Sequence, residues 1–487
     1  MSKQPGMSAR RAVVRVLVGW AAFAAGGMGW SQRARLPEAP ASHLLFVAQS
    51  AAPPPLMAPA NPAPGSGQVT PAVSGAVPTG GPRLTIAQAE QMAIRNNPNI
   101  SVARLLALAE AQVTREARAP ELPYAISNLT AVGDHYGSRI TGGGTLNSPR
   151  ILEKAAGGLT VGQLITDFGR THNLVLSAQS NVRAQLESER ATQLDILLTV
   201  DQAFYQALTT QALLRVAQQT VAQRQATGEQ VGALTKAKVK SDLDLSFANV
   251  QISQANLLLL DAKNNEQAAM AELNDVMGSE QDQQYTLVDE TTGNPPAAPE
   301  DAETLVQTAY GQRPDLAAMN DRYLSAKQYS TAERDLWMPT ISAMTGVGAT
   351  PVRDDLIESS WYFGAGANIS IPVFNGFLFN ADAQEAKLRA QAAQENVRNL
   401  RDTIARDVRT AVLNAQTAFQ RIGVTQEMLN QANFALDLAT ARYKIGLSSI
   451  VELTQAQLAQ TQAEIDHTNA RYSYQTTLAE VRYEIGQ

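Results

Sequence analysis

Two hydrophobic patterns alternate along the chain. In "WYFGAGANISIPVF" (361–374), Trp361, Phe363, Ala365, Ala367, Ile369, Ile371 and Val373 take alternate positions, with Tyr362, Gly364, Gly366, Asn368 and Ser370 between them. A period of two puts these sets on opposite faces of a strand, one apolar and one small or polar. Ile341, Ala343, Thr345 and Val347 predict a partner strand, ended by a loop over 350–359. A weaker pair is expected near 124–133 and 157–166. Elsewhere the pattern is helical. Segments 168–230 and 376–444 contain no proline, and helices of that length reach roughly 90–100 Å at 1.5 Å per residue. Such lengths indicate a coiled coil or bundle. Leu438, Ala441 and Ile445 lead into Val451, Leu458, Ile465, Tyr472 and Ala479, which step by seven, the coiled-coil period. Alanine, glutamine and threonine fill much of the remainder, so the seams are thin and many helices are expected side by side.

An internal repeat organises these elements. "AELNDVMG" (271–278) matches "AEVRYEIG" (479–486), with glycines 486 − 278 = 208 residues apart. The same offset pairs Val200 with Val408, Ala203 with Ala411 and Val161 with Ile369. Upstream, "NNPNI" faces "QRPDL" with prolines 314 − 98 = 216 apart, so the difference falls near 134–157, where an insertion suggests a loop. Each half therefore predicts a helix from near Leu84 or Pro299, past Pro98 or Pro314, to Pro123 or Pro339. A strand pair and two long helical stretches follow. The expected organisation is a signal peptide over 1–31, a Pro/Ala-rich linker over 32–83, a first repeat over 84–278, a linker over 279–299 and a second repeat over 300–487.

Arg10, Arg11 and Arg15 precede a short apolar run from Val16 to about Met28, the order of a secretory signal. The 487 residues carry a net charge of −6, which lacks the basic footprint of a nucleic-acid binder. No cysteine occurs, so there is no disulfide, no thiolate metal site and no lipid-bearing cysteine. None of His43, His135, His172 and His467 has metal-ligand spacing to another histidine. No metal, cofactor or catalytic site is expected, and His172 and His467 read as solvated helix positions. "GSRITGGGTL" (137–146) lacks the Lys-Ser/Thr of a phosphate loop and reads as a surface loop.

The strands leave two readings open. One is a half-buried hairpin in a soluble sandwich. The other is a membrane barrel, favoured by the glycine-rich polar face and by strands near ten residues long. Tyr124, Trp337, Trp361 and Phe374 would then form interfacial girdles.

Several motifs resemble the TolC-type outer-membrane efflux proteins, the outer membrane factors. "LTIAQAEQMAIRNNPNI" resembles their opening segment. "VGQLITDFGRTHNLVLSAQ" and "ISIPVFNGFLFNADAQ" resemble their strand-to-helix junctions, and "ARYKIGLSSIVELTQAQLAQTQAEI" their second hairpin turn. The resemblance spans about 84–487 and implies a mostly α fold with a membrane β-barrel portion. In a homotrimer, four strands per chain would make a twelve-stranded barrel continued by a periplasmic helical barrel, with 279–300 in a belt around its middle. No extended tail is expected after Gly486. The implied function is an outer-membrane exit duct for small toxic molecules. Its implied partners are a periplasmic adaptor and an inner-membrane transporter of RND, ABC or MFS type, with outer-membrane lipid around the barrel. The alternatives are the outer-membrane part of a type I protein secretion system, or a periplasmic adaptor. A purely structural coiled coil would leave the alternating strands unexplained.

The resemblance also assigns residues at the hairpin turns. Glu452 takes the family's first acidic constriction position, and Gln455 stands at the second. Tyr443 and Asp244 match a linked pair of the closed gate. Ser448 and Leu243 stand where a second link has Arg and Thr. Gly446 and Leu447 match the tip that meets the adaptor. By the 208 offset, Glu452 corresponds to Asp244, Leu447 to Val239 and Tyr443 to Thr235. The first turn lacks a Gly-Leu pair, so the two turns are expected to differ.

Overall fold

The computed structural model describes residues 81–132, 139–142, 146–150, 154–279, 283–290, 295–299, 301–352 and 359–487. The expected signal peptide and nearly all of the following linker lie outside them. In chain order the first half contains β1 (Arg83–Leu84), α1 (Ile86–Asn96), α2 (Pro98–Arg118), β2 (Tyr124–Val132), β3 (Arg139–Gly142), β4 (Leu146–Arg150), β5 (Lys154–Thr166), α3 (Arg170–Lys236) and α4 (Asp242–Val276). The second half contains β6 (Thr286–Leu287), α5 (Ala302–Gln312), α6 (Pro314–Arg334), β7 (Thr340–Val352), β8 (Trp361–Ser370), α7 (Leu378–Lys444) and α8 (Ile450–Glu484). The duplicated order follows the repeat. α3 and α7 have 67 residues each, and the returning helices α4 and α8 have 35 each.

The single helix expected past each proline is two helices. Asn97 and Arg313 are extended, with ψ near 120°, and Pro98 and Pro314 open the next helix. Proline disfavours helical geometry in the residue before it, yet suits the first helical position because it has no N–H to lose. The length mismatch within each hairpin has a simple consequence. A 35-residue helix covers only the distal half of its 67-residue partner. The remaining half of α3 packs on α2 and α6, and that of α7 on α6 and α5. Ser177 donates to the Ser325 carbonyl at 3.0 Å, and Arg183 pairs with Asp321 at 3.0 Å.

The sheet order is β2-β5-β7-β8, antiparallel throughout, so β5 and β7 join the two halves directly. The register aligns Ile126, Thr160, Gly346 and Gly364 on one face, and Ala125, Val161, Thr345 and Ala365 on the other. On the glycine-rich face Tyr362 lies against Gly158 and Gly348, where any Cβ would collide with its ring. Tyr124 fills the space over Gly162 in the same way. Tyr124 therefore belongs to the glycine-rich face and not with Trp361 on the apolar one, which corrects the expected girdle. Trp337 packs edge-on against Phe379, at 5.6 Å between rings. β8 stops at Ser370 and leaves out Ile371 and Val373, since Pro372 has no N–H for a ladder. β7 runs on to Val352, past the expected start of the loop at 350. The stretch read as a loop over 137–146 contains β3 and the start of β4, which pair as a small antiparallel ribbon.

The main core lies where β1 and α1, the β6 segment and both hairpins meet. β1 pairs with β6 in parallel, and Leu84, Leu287, Ala89, Ala93, Phe204, Met270, Leu273 and Met277 are buried together. Fully burying the leucine, phenylalanine and methionine side chains among them contributes about 1.5–3 kcal/mol each. Tyr472 donates to Asp289 at 2.8 Å and Tyr474 to the Pro296 carbonyl at 2.6 Å, holding the linker against α8. Asp201 is buried beside this core. Burial, and then Glu90 next to it, push its carboxyl up to about 7. A folded-state value raised above the unfolded one stabilises at low pH, and that stability is lost as pH rises through about 7. Wild-type thermal midpoints, followed by circular dichroism, should therefore fall between pH 5 and pH 8. Asp201→Asn should flatten that slope, and an equal slope in the variant would place its origin elsewhere.

The seven-step row read from Val451 is only partly a core row. Val451 and Leu458 are exposed, whereas Tyr472 and Ala479 are buried. Ile450, Leu453 and Gln457 hold the buried positions near the turn instead. His467 is half-buried, with Nδ1 3.4 Å from Thr425 Oγ1, so it is less solvated than expected, whereas His172 is exposed.

Candidate functional site: the paired hairpin turns

The turns between α3 and α4 and between α7 and α8 share one backbone design. After α7, Gly446 has φ of 81°, its N–H donates to the Tyr443 carbonyl at 3.1 Å, and Leu447 N–H donates to the Arg442 carbonyl at 2.8 Å. After α3, Lys238 has φ of 60°, its N–H donates to the Thr235 carbonyl at 2.9 Å, and Val239 N–H donates to the Leu234 carbonyl at 2.9 Å. Both are the left-handed ending that satisfies a helix's last carbonyls. Ser241 and Ser449 then cap the returning helices by accepting from Asp244 N and Glu452 N at 3.2 and 3.3 Å. The expected difference between the turns is thus one of side chains, not of conformation. A Cβ at positive φ costs about 1–2 kcal/mol. Lys238→Gly should leave thermal stability unchanged or raise it by about 1 kcal/mol, and a fall in the thermal midpoint would contradict the assigned turn.

Four helices meet just behind these turns. Val231 of α3, Ala248 of α4, Leu436, Ala439 and Tyr443 of α7, and Ile450 and Leu453 of α8 form one buried cluster. Tyr443 is only 3% exposed, and Lys240 Nζ sits 4.3 Å from its ring centroid. This cation–π contact ties the first turn to the last turn of α7. The Tyr443 hydroxyl is buried with no hydrogen-bond partner among the described residues. Burial, and then the charge of Asp244, push it above the usual tyrosine range. Asp244 is therefore near, but its carboxylate is engaged at home. It accepts from Ser241 N at 3.1 Å and Ser241 Oγ at 3.0 Å, completing a capping box.

Glu452 stands in the first turn of α8, its carboxylate 3.4 Å from Arg442 on α7. Both side chains are nearly half exposed, so the pair itself contributes little stability, about 0–1 kcal/mol. Gln455 is exposed on the same helix. Ser448 is half-buried with an unpartnered Oγ, and Leu243, its expected counterpart, is exposed. The outermost apolar side chains are Leu447, Ile445 and Val239, exposed by 68%, 70% and 66%. Sequence reading singled out Leu447 and missed Arg442, Lys240 and Ile445 as parts of the site. Arg442 faces Glu452 only once the turn geometry is known, and no spacing rule would have shown Lys240 over Tyr443.

Two long hairpins continuing from a four-stranded sheet with one apolar face define a channel-type subunit. No helix among the described residues is long and apolar enough to cross a membrane. The family profile described as outer membrane efflux protein matches residues 90–279 and 305–487. Outer membrane protein TolC of Salmonella enteritidis is 22% identical over 422 residues, covering 82% of this chain and 83% of that protein. A solved membrane protein from Pseudomonas aeruginosa has a TM-score of 0.71 at 22% identity, covering 82% of this chain and 93% of its own. The outer membrane protein VceC of Vibrio cholerae has a TM-score of 0.69 at 17% identity, covering 82% and 96%. The chain belongs to the outer membrane efflux protein family. It is an outer-membrane efflux duct, not an enzyme, and its helices extend from the membrane sheet into the periplasm.

Proposed function

We propose that three copies of the chain close a single tube: a twelve-stranded barrel in outer-membrane lipid and a twelve-helix barrel below it. The observation that carries this is an open edge at both levels of one chain. In the sheet, β2 and β8 each pair on one side only. In the distal helical layer, α3 packs on α4 and α8, and α8 on α7, giving the order α4-α3-α8-α7. The outer helices carry exposed apolar rows, Leu243, Phe247, Val250 and Leu257 on α4, and Val424, Phe434 and Leu438 on α7 with Ile445 just past its end. Both rows follow heptad spacing, as a seam between helices requires. Joining the α7 edge of one copy to the α4 edge of the next would cover both rows and leave no free strand edge. Outer-membrane fractions should yield a heat-modifiable trimer on gels, and migration as a monomer in mild detergent would refute the assembly.

In that tube the hairpin turns form the periplasmic mouth. Glu452, with Gln455 beside it, would line the constriction. Tyr443 and Asp244 would hold the turns closed without the second link, since Leu243 offers Ser448 no polar side chain, and Gly446 and Leu447 would receive the periplasmic adaptor. The adaptor would link the duct to an inner-membrane transporter of RND, ABC or MFS type, which selects small toxic cargo. Type I protein secretion uses the same duct chemistry and is the alternative. Tyr443→Phe with Asp244→Ala should raise single-channel conductance in planar bilayers, and unchanged conductance would remove the pair from the gate. Because the chain has no cysteine, Leu447→Cys offers a unique thiol. It should cross-link to adaptor lysines in cells treated with a reagent that carries a maleimide and an amine-reactive ester, and no adduct would count against that contact.

A further inference from the structure

A buried polar layer crosses the interface between α3 and α8, and it is short of hydrogen-bond acceptors. Arg224 of α3 is 3% exposed, and its Nη2 donates to Thr461 Oγ1 of α8 at 3.3 Å. The Thr461 hydroxyl donates to the Gln457 carbonyl at 3.0 Å. The Gln457 side-chain amide donates to Thr227 Oγ1 at 3.2 Å, and that hydroxyl donates to the Gln223 carbonyl at 3.0 Å. Arg224 Nη1 is buried with no partner among the described residues. No carboxylate among them pairs with the guanidinium. Burial alone lowers it, to about 10, so it keeps its charge at neutral pH.

A buried charge without compensation is strongly unfavourable, far more so than an unpartnered neutral group. The missing acceptor cannot come from a second copy joined at the open edges, because α3 and α8 are the two inner helices of the order α4-α3-α8-α7. It must enter from solvent. Water would satisfy the N–H, but only an anion also neutralises the charge. We propose that this layer is a buried site for a small monovalent anion of halide size, bound by Arg224 Nη1 beside Thr461 and Gln457. The site lies about 18 Å from the end of α3, at 1.5 Å per residue. An anion held there fastens the first hairpin to the second just behind the turns. This inference stands whether or not the tube is trimeric.

The full-length protein in detergent tests it, with sodium gluconate replaced stepwise by chloride or bromide at constant ionic strength. The thermal midpoint, read by circular dichroism, should rise with either halide and saturate, as expected for a ligand that binds only the folded state. Arg224→Met should lose the saturable rise while keeping whatever general salt effect the wild type shows. Crystals of the wild type soaked in bromide should give an anomalous peak within hydrogen-bonding distance of Arg224 Nη1, a readout that does not depend on the variant folding. Equal wild-type midpoints in gluconate and chloride, or a bromide map with no peak at Arg224, would overturn the proposal in favour of a water.

Discussion

Gly486→Ala should deplete the assembled protein from the outer membrane, and Gly278→Ala should do the same. Gly486 has φ of 83°, and a Cβ there would come within 2.9 Å of Gln312 C, Gln312 O and Arg313 N. Gly278 has φ of 67°, and its Cβ would meet Asn96 C and O at 2.9 Å and Asn97 N at 3.1 Å. The obstacles are backbone atoms at the helix breaks before Pro98 and Pro314, so no rotamer change relieves them. Both glycines end the returning helix of a hairpin, and each break reaches back to that helix. Asn97 Nδ2 donates to the Val276 carbonyl at 3.0 Å, and Arg313 Nη1 to the Glu484 carbonyl at 3.2 Å. Val276 and Glu484 are again 208 apart. Arg313 also pairs with Asp315 at 2.8 Å and with the Glu484 carboxylate. Burial opposes its charge, but these partners outweigh burial and hold it above the usual arginine range. Left-handed strain costs about 1–2 kcal/mol and forced overpacking about 1–3 kcal/mol more. Each variant should therefore lose about 3 kcal/mol, read as a lower thermal midpoint and a weaker heat-modifiable band. Gly423→Ala is the control. That glycine is interior to α7 with nothing within 4 Å of a Cβ, so the change should stabilise by about 0.5–1 kcal/mol. Equal behaviour of all three variants would defeat the close-approach argument.

Glu452→Gln should weaken block of the channel by trivalent cations about tenfold or more, a change of ~1.4 kcal/mol in binding. Two unit charges 4 Å apart near a protein surface exchange about 4 kcal/mol, and three Glu452 carboxylates around one axis would act on the same cation. Arg442 sits 3.4 Å from each carboxylate and offsets part of that field. Arg442→Gln should therefore strengthen block, the opposite sign. Current recordings in planar bilayers separate the two variants, and unchanged block in both would take Glu452 out of the conduction path. The opposed signs distinguish a direct electrostatic effect from general loosening of the turn, which would change both variants alike.

Much of the architecture was legible in residue order. The alternation from Trp361 to Ser370 predicted β8, and the proline-free runs predicted α3 and α7 nearly to their ends. Local signals misled where neighbours changed their meaning. Pro98 and Pro314 looked like residues passed by one helix, yet each opens a second helix. Tyr124 looked like a girdle residue from its strand-end position, but the register puts it on the glycine-rich face, where Gly162 leaves room for its ring. Asp244 lies close enough to Tyr443 for its charge to act on the hydroxyl. The hydrogen bond between them is absent within one chain, because Ser241 already holds the carboxylate.

Period and repeat belong to the sequence alone. A period of two or seven depends only on the geometry of one strand or helix, and the 208-residue offset only on duplication. Partnership belongs to the tertiary structure. A heptad row names a face without naming what crosses it, so only packing decided that Tyr472 and Ala479 are core while Val451 and Leu458 stay open. The same holds at the turns. Lys238 adopts a glycine's conformation because the two helices it joins must reverse within a fixed span, and that span is set by packing behind the turn, which the residues at the turn do not encode.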